Sequence, residues 1–421
     1  MASFENVFLA AFILSFGLKL WLALRQLRHV YLHRERPPEA FAGRISAEQH
    51  RLAADYTLAK TRLALPHLAL DGALLLWLTL GGGLQWLHDQ LAGWTSAPLW
   101  HGTLLLLALS LIGSVIELPL SLYRQFVVEA RFGFNRQTLA GFFADLAKQA
   151  VLGLALGAPL IFLVLWLMGA MGAHWWLWVW GVWMAFNLIV LAVYPTLIAP
   201  LFNSFQPLAD AGLKARIERL LDRTGFHSNG VFVMDGSKRS SHGNAYFTGL
   251  GKSKRIVFFD TLLDQLDADQ TEAVLAHELG HYKRRHVAKR IAFMFLSSLA
   301  LLALLAALKD ADSFYAGLNV AARGDAVALA LFFLVLPVFL FPVTPLMSLV
   351  SRKHEFEADA FAAEHSRPEH LVSALVALYR DNATTLTPDP LYSLFYDSHP
   401  KATERIARLQ GLALPAAHAP A

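Results

Sequence analysis

The sequence predicts a mainly α, integral-membrane fold, with seven transmembrane helices and a small α+β portion outside the bilayer. Three observations predict it. The 421 residues are 56% hydrophobic and 16% charged, with 11 Trp and 29 Phe; an ordinary soluble domain is about 25% charged. The apolar residues gather in seven runs close to the roughly 20 residues that a spanning helix needs. The Lys and Arg residues concentrate in alternate loops.

The runs lie at 6–24, 64–86, 99–122, 149–172, 175–198, 291–308 and 326–350. The first has no small-residue cleavage site after it and reads as a retained span rather than a signal peptide. The second contains Asp71, and the third ends near Glu117 and Pro119. Charges inside spans are costly and face a cavity or a partner, so Asp71 and Glu117 are candidates for a polar interior, with Glu117 alternatively at the headgroups. The fifth carries Trp175, Trp176, Trp178, Trp180 and Trp183, the composition of an interfacial aromatic belt.

Loop charges set the orientation. Eight Lys/Arg separate spans one and two (Arg25, Arg28, Arg34, Arg36, Arg44, Arg51, Lys60 and Arg62), and Arg124, Arg131, Arg136 and Lys148 separate three and four. The loop at 87–98 has none. The positive-inside rule then places the N-terminus outside and residues 199–290 and 351–421 in the cytoplasm. The expected units are a five-span portion (1–203), a soluble segment (204–290), spans six and seven (291–350), a C-terminal segment (351–414) and a disordered tail (415–421). The net charge of +4 is spread out, with no basic stripe among aromatics, which excludes nucleic acid as a partner. No feature of the sequence sets an oligomeric state.

Within 204–290 the pattern is a helix, a small sheet and a second helix. Residues 230–235, 244–248 and 255–260 are the candidate strands, with a turn over 249–254. The second helix starts at Asp267, an N-cap with Gln270 at the third helical position, and contains His277-Glu278-Leu279-Gly280-His281. Histidines four apart share a helix face and can reach one metal ion, and Glu278 can act as base toward a water held there. The chain has no Cys, so disulfides, a thiol nucleophile and thiolate ligands are excluded, and a metal must be held by His and carboxylate, the ligand set of catalytic zinc. The third ligand is best sought in 352–360. There Glu355 can ligate while Asp359, on the same helical face, orients a zinc-bound imidazole; His354, Glu357 and His365 compete on sequence alone. His242 and His286 lack metal-ligand spacing and read as polar or interfacial.

Several segments carry a resemblance. They are Phe126 to Asn135, Ile198 to Asn203, Ser241 to Phe247, His277 to His281, Glu355 to Asp359, and Asp397-Ser398-His399-Pro400 with Arg405. Together and in order they resemble the integral-membrane zinc endopeptidases of the CAAX prenyl protease 1 type, peptidase family M48, also called the Ste24 family. The resemblance implies seven spans enclosing a water-filled chamber, with a zincin-like portion at its cytoplasmic end. It implies one Zn2+ per chain on His277, His281 and Glu355, Glu278 as general base and Asp359 behind the ligands. Asn244 and Ala245 would hold substrate backbone at the sheet edge, His399 would stabilise the oxyanion and Arg405 would brace the site. The implied partners are the lipid bilayer and a peptide or protein substrate, whether membrane-associated, CAAX-type or misfolded. Gly243 departs from the serine frequent at that position in the family. The Ala/Leu/Arg-rich composition and a tail without a dilysine signal point to a bacterial inner membrane. A metal-regulated transporter or channel is the competing class; it predicts internal repeats, and the spans show none.

Overall fold

The computed structural model describes residues 3–249 and 254–413; the tail 415–421 and most of the 249–254 turn lie outside the described residues. Helix α1 (Phe4–His33) is capped by the Ser3 side chain, and α2 (Ala47–Leu78) by a Ser46/Gln49 capping box. The chain then turns through Thr79 to Gly82, with Gly82 at φ +73°, into α3 (Gly83–Ala92), bent 59° from α2. The second span is thus a broken one that begins well before residue 64. Glycine supplies the left-handed conformation, and a Cβ on Gly83 would lie 2.7 Å from the Trp77 ring. Residues 25–63, expected as a loop, are mostly helical extensions of α1 and α2.

Helix α4 (Pro98–Tyr123) starts with Pro at its first turn and contains Pro119, which cannot donate its backbone bond; a π-helical turn, Arg124–Glu129, follows. Then come α5 (Leu139–Ala170) and α6 (Trp175–Val193), the latter followed by a second π-helical turn that contains Pro195. Six helices among the described residues are long and apolar enough to cross a membrane, and the bent α2–α3 pair makes seven. Ile13, Leu14, Leu111, Val151 and Leu296 stand exposed on them, an apolar surface that lipid rather than water covers. Asp71 and Glu117 both reach His67, at 3.2 and 3.3 Å, so the two intramembrane carboxylates share one partner.

The soluble portion holds a four-stranded sheet, ordered β1-β2-β4-β3. Strands β1 (Phe205–Pro207) and β2 (Val231–Met234) are antiparallel and joined through α7 (Ala211–Thr224). The sheet is completed by β3 (Ala245–Thr248) and β4 (Arg255–Phe259), with β2 parallel and β3 antiparallel to β4. Strand β1 is the one that sequence pattern misses, being three residues long and ending in Pro at a sheet edge. Helix α7 buries Leu213, Ile217, Leu220 and Leu221, a 3.6-residue stripe, against the sheet's core.

Next come α8 (Asp260–Gln265), α9 (Ala268–Lys283), α10 (His286–Lys309), α11 (Asp312–Ala316), α12 (Asp325–Leu340) and α13 (Thr344–His365). The chain closes with α14 (Pro368–Asp381), α15 (Pro390–Tyr396) and α16 (Ala402–Ala413). Helix α9 begins as expected, with the Asp267/Gln270 capping box fully formed. Among the described residues, no helix pair packs more extensively than α9 with α13. Gly280 allows it: a Cβ there would lie 2.9 Å from the Ala358 Cα and 3.0 Å from its carbonyl oxygen.

Candidate active site

Helix α9 supplies His277, Glu278 and His281; α13 supplies Glu355 and Asp359; α16 supplies Arg405; the link before α16 supplies His399. The close α9–α13 crossing sets His277 and His281 facing Glu355 and Asp359. His277 Nε2 and His281 Nε2 are 3.2 Å apart, and Glu355 lies 3.5 Å from the first through Oε2 and 3.2 Å from the second through Oε1. One ligand atom from each of the three lies within 4.8 Å of the others. Glu355 Oε2 is buried with no hydrogen-bond partner, which is costly unless an electrophile stands there. Two imidazole nitrogens and an orphaned carboxylate oxygen, turned on one point, fit a divalent metal such as zinc.

Each imidazole is oriented from behind. His277 Nδ1 donates to Asp359 Oδ1 at 2.9 Å, leaving Nε2 free to ligate. Arg405 then holds Asp359 through Nε at 2.9 Å and Nη2 at 2.6 Å, a buried bidentate pair, and its Nη1 is 3.7 Å from Glu355. Burial disfavours the Arg405 charge, but the Asp359 carboxylate outweighs it and lifts the pKa above the ordinary arginine value. Burial likewise works against a charged His277, yet its hydrogen bonds to Asp359 and then Glu355 raise its pKa to about 9.

Behind His281 stands His286, which the sequence pattern read only as polar or interfacial. His281 Nδ1 lies 3.0 Å from His286 Nδ1, and His286 Nε2 lies 2.9 Å from Glu357 Oε2. His354 stacks on His286 at 4.0 Å between ring centroids. On a continuous helix a residue five positions on is rotated by about 140° from His281. The helix is not continuous: Arg285, at φ +57°, turns the chain between α9 and α10 and swings His286 back. Thus Glu355 joins the histidines, while His354 and Glu357 flank His286 and His365 hydrogen-bonds the Phe361 carbonyl.

Glu278 is half-buried and makes no hydrogen bond or ion pair among the described residues, so its carboxylate is free for a water. His399 Nε2 lies 3.5 Å from Glu355 Oε2, while 60% of its side chain remains open to a cavity. Burial first lowers its pKa; the Glu355 carboxylate works against this, and Arg405 and His277 add to the lowering. Asn244 is exposed at the start of β3; its carbonyl accepts from Phe259 N, and its side chain caps Ala245 N at 2.8 Å. The lead-in to β3 is tied to the loop after α4. Ser241 N donates to Phe134 O, Arg136 N to Arg239 O, and Glu129 accepts from Tyr56 at 2.7 Å and faces His242 at 3.6 Å. Arg239 also clamps Asp145 of α5 and the Phe202 carbonyl. The strand edge is therefore positioned by the membrane helices.

Comparison with known proteins covers both halves. A family model described as CAAX prenyl protease N-terminal, five membrane helices, matches residues 26–204, and the peptidase family M48 model matches 207–413. The chain is 38% identical over 317 residues to CAAX prenyl protease 1 of Saccharomyces cerevisiae, covering 72% of this chain and 70% of that one. To a CAAX prenyl protease 1 homolog of Arabidopsis thaliana it is 33% identical over 413 residues, covering 95% and 96%. The crystal structure of S. mikatae Ste24p superposes with a TM-score of 0.90 at 31% identity, covering 97% of this chain and 99% of that one.

Proposed function

This chain belongs to peptidase family M48, among its CAAX prenyl protease 1 type integral-membrane metalloendopeptidases, and from that premise we propose that His277, His281 and Glu355 hold one zinc ion and Glu278 is the general base. The fold is that family's helical membrane chamber, and the transporter or channel reading is set aside. The observation that carries the proposal is the convergence of His277, His281 and the orphaned Glu355 oxygen on one point, backed by Asp359 and Arg405.

When bound, zinc would acidify a water and polarise the scissile carbonyl. Glu278 takes the proton of the attacking water and returns it to the leaving amine. Neutral His399 donates a hydrogen bond to the carbonyl oxygen as charge builds on it. Asp359, fixed by Arg405, holds the His277 ring with Nε2 inward. A substrate peptide adds to the outer edge of β3, beside Asn244 and Ala245, where main-chain pairing is open among the described residues. The substrates are membrane-associated, CAAX-type or misfolded proteins; the relatives' names support the CAAX class.

Loop charges support an N-terminus outside and a site on the cytoplasmic side. The Ala/Leu/Arg-rich composition is the support for a bacterial inner membrane, and the relatives named above are eukaryotic. Purified protein should carry about one zinc per chain and cleave peptides. His277→Ala and Glu355→Ala should lose most of the metal; full zinc occupancy in Glu355→Ala would remove Glu355 from the ligand set.

A further inference from the structure

Helix α2 and the π-helical turn after α4 bring two cations into a cavity that opens toward the metal-ligating group. A cavity of about 570 Å3 is lined by Tyr56, Lys60, Arg124, Glu129, His242 and Asn382 among others. A second, of about 450 Å3, shares Lys60 and Thr384 with it and reaches His399. Since His399 lies 3.5 Å from Glu355, the two form a path from the site to Lys60. Glu129, the carboxylate of the larger cavity, is already engaged by Tyr56 and His242. The Lys60 ammonium stands 4.0 Å over the Tyr56 ring. Among the described residues, no carboxylate oxygen comes within 4.0 Å of Lys60 or Arg124. Two cations against the one engaged carboxylate of Glu129 leave the cavity with surplus positive charge.

The direction of the sheet indicates what reaches this charge. Antiparallel pairs are the commoner and slightly stronger ladders. A peptide added antiparallel to β3 ends beside Asn244, Gly243 and His242, where β3 begins. Asn382 Oδ1 accepts from Gly243 N at 3.0 Å and faces His242 at 3.3 Å, so that end of the strand borders the larger cavity. A CAAX-type substrate has three residues and a free carboxylate after its Cys, an extended reach of about 10 Å.

We propose that Lys60 and Arg124 bind the C-terminal carboxylate of the substrate, so that the cleavage position is set by distance from the chain's end. The assignment rests on the peptidase reading above. Two cations with no carboxylate oxygen within 4.0 Å, in a partly enclosed space at the C-terminal side of the strand edge, match a single carboxylate in sign and number of donors.

The test uses the full-length, zinc-loaded protein and a fluorogenic peptide ending in Cys-aliphatic-aliphatic-Met, as free acid and as C-terminal amide. Wild type should cleave the acid with kcat/KM about 10- to 100-fold above the amide, mainly through KM, the loss expected for charge-assisted hydrogen bonds. Lys60→Gln and Arg124→Gln should lose most of that preference at unchanged zinc content, and Lys60→Arg should keep it. Equal cleavage of acid and amide by wild type would overturn the carboxylate site while leaving the peptidase reading intact. Full retention of the preference in both Gln variants would also overturn it. Cleavage of neither peptide would overturn the peptidase reading and the carboxylate site with it.

Discussion

Replacing Gly280 by alanine adds one methyl group at the closest point between α9 and α13. That methyl would lie 2.9 Å from the Ala358 Cα and 3.0 Å from its carbonyl oxygen, against the roughly 3.5–4.0 Å at which carbon contacts are favourable. The obstacle is backbone, so no rotamer relieves it, and the helices must separate by about 0.5–1 Å at a cost of about 1–3 kcal/mol. His277 and His281 lie on one side of that gap and Glu355 on the other. Metal–ligand bonds tolerate about 0.2 Å, so the same displacement would spoil the proposed three-ligand site. Gly280→Ala should fold with a lowered thermal midpoint and bind zinc at least about tenfold more weakly, as read by chelator competition in detergent. Ala358→Gly in the same background should not rescue it, because the methyl meets the Cα and carbonyl of Ala358 rather than its side chain. Zinc affinity of Gly280→Ala equal to wild type would refute the reasoning.

His399→Ala should lower kcat by roughly 10²–10³ with zinc content and thermal stability near wild type, since in the proposed mechanism it removes a donor to the transition state and no metal ligand; zinc loss in that variant would make His399 a ligand instead. His286→Ala frees the His281 ring and should weaken zinc binding by about 10- to 100-fold in the same competition assay, and unchanged affinity would reduce the His281–His286–Glu357 chain to packing. Because the chain has no Cys, single cysteines report topology cleanly: Thr95→Cys should label from outside and Ala215→Cys from the cytoplasm, and the reverse would invert the orientation read from the loops.

Local signals were legible wherever one residue acts on its own neighbourhood. Asp267 and Gln270 announce the start of α9 and form the capping box they predict. The histidine spacing of four puts two imidazoles on one face, and the strands β2, β3 and β4 follow their β-branched and aromatic runs. What stayed hidden depends on breaks in regular structure. Three consecutive glycines split the second span, whereas hydropathy averages across them. The left-handed Arg285 decides where His286 points, and nothing in a non-glycine residue signals that conformation. Long-range partners were also out of reach. That Glu129 would hold Tyr56 and His242, from segments 73 and 113 residues away, follows from the packing of α2, the loop after α4 and the lead-in to β3. For the proposed third ligand, periodicity offered Glu355 beside His354, Glu357 and His365; the α9–α13 crossing at Gly280 brings Glu355 to the histidines.

The most direct test of the site is Glu278→Gln, which keeps size and hydrogen bonding but cannot accept a proton. Zinc content and peptide turnover should be measured on the same preparation of wild type and variant. The expected result is about one zinc per chain in both, with turnover in the variant lower by a factor of about 10² or more. Near-normal turnover in Glu278→Gln, or peptide cleavage by wild type stripped of metal, would contradict it.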